Sequence, residues 1–346
     1  MQKRDSPKRL SRLFLCRFSI FVLDATADLR YRIDIVKDEI VQELPAACSD
    51  EATAYAFVEA QRWSNEPRCA HCESRRVYKM RDRKTGERSK RFLWRCNICR
   101  RQFTVRVGTV LEDSRIPMRH WCYAFWAACA SKKGVSALQI HRMTGVSYKS
   151  ALFMMHRVRF ALAGDPVTPA KLEGVIEADE TYVGGKPRYK GPHNKRGLHD
   201  KTPVFALVVR GGNVRARVPD KVTATTLGSF IARNVNPMHA RLITDESWAY
   251  TKIGRKFFGG HDTVNHSRRE YARGDVTTNT VEGFFSLLKR GLYGTFHSVS
   301  DRHLHRYVAE FEYRYNTRKL TDGQRVANAI RRAEGRRLHY SEPGEK

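Results

Sequence analysis

Three acidic residues stand where a charge needs a reason to be. Asp179 interrupts the apolar stretch GVIEADETYVGG, Asp245 closes ARLITD, and Glu282 opens NTVEGFFSLLKRG. A carboxylate in an apolar strand costs free energy unless it is paired or binds a metal. Two aspartates on separate strands and a glutamate on a later helix can hold two Mg²⁺ ions about 4 Å apart. Such a pair activates an attacking oxygen and stabilises the leaving oxygen of a phosphodiester. Lys289 lies seven residues after Glu282, two turns along the same helix face, where an ammonium can contact a nucleic-acid phosphate. Asn279 projects toward the same place, while Val281, Phe284, Phe285 and Leu288 face the core. Taken singly, each acid could be an ordinary ion-pair partner in a basic protein. Glu177, Glu180, Glu246, Glu270 and Asp275 stand close enough in sequence to compete for the same role.

A second constellation is made of thiols. Cys69 and Cys72 form one C-x-x-C pair and Cys96 and Cys99 another, with 23 residues between them. Two thiolates from each knuckle supply the four tetrahedral ligands of a structural Zn²⁺ site. A redox role needs one reactive pair, not two. Between Arg75 and Arg106 stand 13 Lys or Arg residues against Asp82 and Glu87, a density suited to phosphate neutralisation. Tyr78, Phe92, Trp94 and Phe103 are interleaved and form the small core of such a ribbon.

The elements that must position these groups follow from periodicity. Residues 49–63 read as a helix leading into the ribbon, which occupies residues 49–112. Residues 118–131, apolar almost all round, form a buried helix. Residues 136–143 and 147–162 are two helices joined by the turn Thr144–Gly145–Val146, a helix-turn-helix candidate within residues 113–164. Val135, Leu138, Ile140 and Met143 face inward on the first. Ala151, Leu152, Met155 and Val158 do so on the second. That leaves Ser147, Tyr148, Lys149, His156 and Arg157 for an exposed, DNA-reading face. Asp165, Pro166 and Pro169 mark a linker. Strands over 174–185, 202–212, 214–218 and 240–244 then alternate with helices over 223–234, 279–292 and 300–317, a mixed α/β layer within residues 165–330. Residues 331–346 form a polar tail. Residues 1–48 read as a poorly ordered basic tail or an over-long translation start, because the apolar run at 18–23 is too short for a signal peptide.

The charge narrows the function classes. A formal net charge of +28 over 346 residues implies a polyanionic partner, nucleic acid before all others. No uninterrupted apolar run approaches the ~18 residues of a membrane span, so no membrane partner is expected. A cytoplasmic location, in association with DNA, is expected.

The segments EADETYVGGK, LITDESWAY and TNTVEGFFSLLKRGLYGTFHSVSDRHLHRYVAEFEYRYN resemble the catalytic blocks of bacterial insertion-sequence transposases of the DDE type with an N-terminal zinc ribbon, the ISXO-like group. The upstream segment around CAHCES and WRCNICRRQFTV resembles that group's ribbon, so the likeness runs roughly from Ala52 to Arg318. It implies a ribonuclease-H-like fold for the catalytic domain. It also implies Asp179 and Asp245 as the first two metal ligands, Glu282 as the third, and Lys289 as its partner. Members of the group vary at the third position, so His297 stays a lesser candidate. Residues 186–201 resemble a basic insertion that contacts transposon-end DNA. The activity so implied is binding of terminal inverted repeats, cleavage of the element ends and transfer of the 3′ strands to target DNA, by a homodimer or larger assembly on double-stranded DNA. A zinc-ribbon regulator without chemistry would explain the charge and the cysteines but not the acids. A related nuclease would share the metals but cut without joining. A decayed and inactive transposase copy would keep the fold without the activity.

Overall fold

The computed structural model describes residues 38–338 except 65, 165–169, 185–200, 269 and 271. Helices α1 (Glu39–Ser49) and α2 (Glu51–Trp63) open it. Asp50 separates them and caps α2, its carboxylate accepting from Thr53 N at 2.7 Å. Helix α1 therefore begins inside the region expected to be a basic tail. The reason is a partner remote in sequence: Leu44 and Ala47 are buried, and the Asp38 carboxylate accepts from Gly323 N at 2.7 Å.

A three-stranded antiparallel ribbon follows, β1 (Val77–Lys79), β2 (Trp94–Cys96) and β3 (Gln102–Phe103), in that order. Helices α3 (Met118–Ala130), α4 (Ala137–Thr144) and α5 (Tyr148–Leu162) come next. Ser136 and Ser147 cap the last two, and Gly145, at φ 73°, ends α4 in the left-handed conformation. Trp94 and Phe103 are buried in a core shared with α2, α3 and α5, while Phe92 stacks on Tyr55 at 4.1 Å; Tyr78 is exposed.

The helix-turn-helix differs from expectation in which faces it buries. Leu138 and Met143 are 51% and 59% exposed. His156 and Arg157, expected outside, are buried, because α5 packs against further elements besides α4. Arg157 donates to Val110 O at 3.0 Å and Glu112 O at 2.8 Å, and the His156 ring lies 4.9 Å from that of His303. The face left to solvent carries Arg142, Met143, Ser147, Tyr148 and Lys149.

The expected linker around Asp165, Pro166 and Pro169 lies outside the described residues; after it, a five-stranded sheet is built from β4 (Leu172–Val183), β5 (Thr202–Val209), β6 (Val214–Arg217), β7 (Val235–Asp245) and β8 (His261–Val264). Its order is β6-β5-β4-β7-β8. The first three strands are an antiparallel meander with its turn at Gly211, φ 69°. Strands β7 and β8 run parallel to β4. Three meandering strands with two parallel strands added beside the first is the ribonuclease-H-like arrangement.

Helix α6 (Ala224–Asn234) covers one face through Leu227 and Ile231, with Tyr250 from the short turn Trp248–Tyr250 that leads into α7 (Thr251–Gly254). A small hairpin, β9 (Ala272–Arg273) and β10 (Val276–Thr277), precedes α8 (Asn279–Gly291) and α9 (Asp301–Asn316). These two helices cover the other face through Val281, Phe284, Phe285, Leu288, Leu304 and Phe311.

Helix α10 (Asp322–Arg332) and the residues after it up to Leu338, the described part of the expected polar tail, are packed. Its Val326, Ala329 and Ile330 join the N-terminal core, and Leu338 beyond it is buried. An amphipathic helix buries its apolar stripe wherever a complementary face is offered, here by α2 and α3.

Glu312 of α9 accepts from Ala216 N at 3.0 Å, and burial pushes its carboxyl up to about 7. A raised folded value favours the protonated form. The stability contribution is therefore complete below the unfolded value of about 4.3 and is lost as pH rises through about 7. Glu312→Gln keeps the acceptor without the charge. Its melting temperature should match wild type near pH 4 and exceed it at pH 8; equal melting at both would contradict the burial argument.

Candidate active site and metal centre

The two cysteine knuckles are built alike. In the first, Cys69 Sγ accepts from His71 N at 3.4 Å, Glu73 N reaches Cys69 O at 3.0 Å, and Glu73 is left-handed at φ 58°. In the second, Cys96 Sγ accepts from Ile98 N at 3.3 Å, Arg100 N reaches Cys96 O at 3.1 Å, and Arg100 is left-handed at φ 60°. The turns bring all four sulfurs within 4.8 Å of one another. Backbone N–H groups aimed at sulfur favour thiolates, and four thiolates in one cluster fit Zn²⁺. Cys96→Ser should therefore abolish stoichiometric zinc by elemental analysis. It should also lower the melting temperature, because Cys69, Trp94 and Cys96 are continuous with the N-terminal core. Unchanged zinc content would contradict the assignment.

The acids converge through strand register. Parallel pairing places Glu177 opposite Ile243. Continuing it by two residues sets Asp179 beside Asp245. Carboxylate oxygens of Asp179, Glu180 and Asp245 lie within 4.8 Å of one another. Glu180 N donates to Asp179 Oδ1 at 2.7 Å, and Ser247 N to Asp245 Oδ1 at 3.1 Å. The buried Tyr250 hydroxyl donates to Glu180 Oε1 at 2.5 Å. Burial, with the charges of Asp245 and Asp179, pushes the Glu180 carboxyl up to about 7 against the lowering effect of that hydrogen bond. Burial, then the Glu180 charge, raises the Tyr250 phenol well above its ordinary value, so it remains a donor. Three clustered carboxylates with no soft ligand fit a hard divalent cation, whose charge would offset their repulsion.

Glu282 stands in the first turn of α8, exposed, with Thr278 Oγ1 donating to its Oε1 at 2.9 Å. Its carboxylate is outside the group within 4.8 Å. Helix α8 is nevertheless tied to the acid-bearing strand. Glu177, fully buried on β4, accepts from Thr280 N at 2.7 Å, Val281 N at 3.0 Å and Arg210 Nε at 2.7 Å. It thus caps α8 from another element and fixes that helix end beside the strand carrying Asp179. Lys289 is half-buried two turns further along α8. Asn279 is exposed, and His297, left-handed at φ 60°, lies in the exposed turn after α8 and joins no acidic group among the described residues.

The remaining nearby acids have partners of their own. Asp275 pairs with Arg241, Glu270 faces Arg273 at 3.7 Å, and Glu246 bonds Ser267. Of the five competing acids, Glu180 is the one that joins the site. Sequence reasoning missed the positioning work of Glu177 and Tyr250. The signal for Glu177 was present, since an acid in the middle of an apolar strand must find donors. The basic segment 186–201 lies outside the described residues except for Lys201.

Residues 171–316 match the family described as the ISXO2-like transposase domain, and residues 49–102 match the transposase zinc-ribbon domain. A protein in the transposable element ISH50 of Halobacterium salinarum is 30% identical over 265 residues, 73% of this chain and 86% of that protein. A chain from the cryo-EM structure of the simian T-cell lymphotropic virus intasome in complex with PP2A regulatory subunit B56 gamma is 17% identical; the match covers 48% of this chain and 61% of that one at a TM-score of 0.26. No helix among the described residues is long and apolar enough to cross a membrane. With both modules matched in order and the relative aligned over most of its length, this chain belongs to the ISXO2-like transposase family with an N-terminal zinc ribbon.

Proposed function

We propose that the protein binds the terminal inverted repeats of its element, frees the 3′ ends and joins them to target DNA. The observation that carries this reading is the placement of Asp179 beside Asp245 by parallel strand register, with Glu180 in the same group. Asp179 and Asp245 would hold Mg²⁺, and Glu282 would complete the set from α8. Mg²⁺ bound there supplies Lewis-acid stabilisation to the attacking and leaving oxygens of the phosphodiester. Lys289 fixes a phosphate of the bound strand. Tyr250 holds Glu180 in place, and Glu177 holds the end of α8.

Binding is assigned to the ribbon, to the exposed face with Arg142, Ser147, Tyr148 and Lys149, and to the basic segment 186–201. The +28 charge supplies the sequence-independent part of the affinity. Two ends must be joined together, so the working unit is a homodimer or a larger assembly. The domain limits that go with this reading are 49–112 for the ribbon, 113–164 for the helix-turn-helix and 165–330 for the catalytic domain, with α10 returning to the N-terminal core.

Nicking of an end-labelled terminal duplex in Mg²⁺ tests the metal set. Glu282→Gln should lose nicking on the order of a hundredfold or more, in the range of removing a group that stabilises the transition state, while still shifting the same duplex on a gel. If Glu180→Gln is silenced and Glu282→Gln is not, the third ligand is Glu180 and the assignment to α8 is wrong.

A further inference from the structure

Trp248 is 79% exposed, although it is three residues from Asp245. Single exposed aromatic rings are common on protein surfaces; what sets Trp248 apart is the turn that carries it, which is tied to the acid group on both sides. The short turn Trp248–Tyr250 sorts its side chains sharply. Tyr250 points inward, fully buried, and hydrogen-bonds Glu180 of the acid group. Ala249 is also buried, while Trp248 is exposed to solvent. The start of the turn is pinned by Ser247 N on Asp245 Oδ1 and its end by Tyr250 on Glu180, so the turn that carries the exposed indole is tied to the acids on both sides.

The helical path continues directly into α7, where Lys252 is exposed, as is Arg255 just past its end. Lys252 follows Trp248 by four residues and Arg255 follows Lys252 by three, so both exposed cations stand close behind the indole along the chain. An aromatic plane followed by cations is the combination that receives single-stranded nucleic acid: a base stacks on the ring and the phosphates meet the ammonium and guanidinium groups. A base inside a duplex is already stacked and paired, so an exposed indole on the turn after Asp245 can take only an unpaired or extruded one.

We propose that Trp248 is a base-stacking subsite for an unpaired nucleotide at the DNA strand end handled by the Asp179–Glu180–Asp245 group, with Lys252 and Arg255 following the strand's phosphates. The proposal rests on the reading of that group as one that acts on DNA ends. Stacking holds the terminal nucleotide away from its complement, which fixes the position of the phosphodiester at the acids. Trp248 touches the nucleotide beside the reacting bond and not the bond itself; it is a positioning residue.

The test compares two probes, a blunt duplex and the same duplex carrying a 3′ overhang of five thymidines. Full-length protein is titrated with each in Ca²⁺ buffer, which supports binding while slowing cleavage. Trp248→Ala should weaken overhang binding roughly tenfold to a hundredfold, the range seen for loss of one stacking platform, and leave blunt-duplex binding unchanged. Trp248→Tyr should recover most of the loss. Among the five tryptophans, Trp63, Trp94 and Trp121 are buried, so the overhang-induced fluorescence quench should come chiefly from Trp248 and vanish in Trp248→Phe. Equal affinity of wild type for the two probes, equal losses on both in Trp248→Ala, or a quench that survives in Trp248→Phe would each overturn the proposal. These readouts need no catalysis. A protein that binds the overhang through Trp248 yet joins no strands would keep this subsite and lose the strand-transfer reading.

Discussion

Asp179→Asn should reduce strand cleavage and joining by about a thousandfold, since a metal-bound charge contributes several kcal/mol to phosphoryl transfer and each decade of rate is about 1.4 kcal/mol. The same substitution should not destabilise the fold. Asparagine still accepts the hydrogen bond from Glu180 N, and it removes one of the negative charges that raise the Glu180 carboxyl. In metal-free buffer the melting temperature should hold or rise, and Glu180 should titrate lower than about 7. Activity lost together with stability would mean that Asp179 is a structural partner and not a ligand. Activity kept would remove the metal site from the strand end altogether.

A large effect of the opposite kind is expected at the junction of the N-terminal helices with the catalytic layer. Glu310 of α9 is fully buried and accepts from Arg159 Nε of α5 at 2.7 Å; Arg314 closes the triad. Arg314 in turn donates to Ala128 O of α3 at 3.0 and 2.9 Å, and the Arg159 guanidinium lies 3.9 Å over Tyr307. Burial alone would raise the Glu310 carboxyl, but Arg314 and Arg159 outweigh it and hold it below its ordinary value. A depressed value means this stability is present above the unfolded carboxyl value and is lost as pH falls through the folded one. Removing one member strands the others in the core, so Glu310→Ala should cost about 3–5 kcal/mol. Thermal melting at neutral pH measures it.

Replacing the whole triad by Arg159→Met, Glu310→Leu and Arg314→Met should cost much less than the single change, because no charge is left unpaired. Equal losses would show that packing and not charge holds the junction. The α3–α4 loop presses on the same place. A Cβ at Gly134, φ 88°, would meet Phe296 Cζ at 2.7 Å.

Much of the catalytic layer was legible because its signals are local. An apolar stretch interrupted by acids marked β4, an apolar run closed by Asp245 marked β7, and the apolar face Val281, Phe284, Phe285, Leu288 marked α8, all four of those side chains buried as their spacing requires. The cysteine pairs announced their own cluster. What stayed hidden depends on partners distant in the chain. Nothing near Glu39 reveals that α1 packs beside α10, and nothing near Val326 reveals that α10 leaves the catalytic layer. Leu138 and Met143 look like core by type, yet the interior of α4 is filled by Ala137 and Ile140. His156 and Arg157 look like surface by type, yet α9 and the ribbon exit supply them with aromatic and carbonyl neighbours. In the site, Glu180 follows Asp179 on the same strand, where regular neighbours point to opposite faces, yet its carboxylate joins the acid group, with the buried Tyr250 hydroxyl holding it there.

The most direct test of the central claim is strand transfer. Purified protein is incubated with labelled DNA from the element's ends, a target plasmid and Mg²⁺, beside Asp245→Ala. The expected result is joined end–target product with wild type and none with the variant, while both retard the end DNA equally. Joined product at the wild-type rate from Asp245→Ala, or cleavage by wild type without joining, would contradict the account.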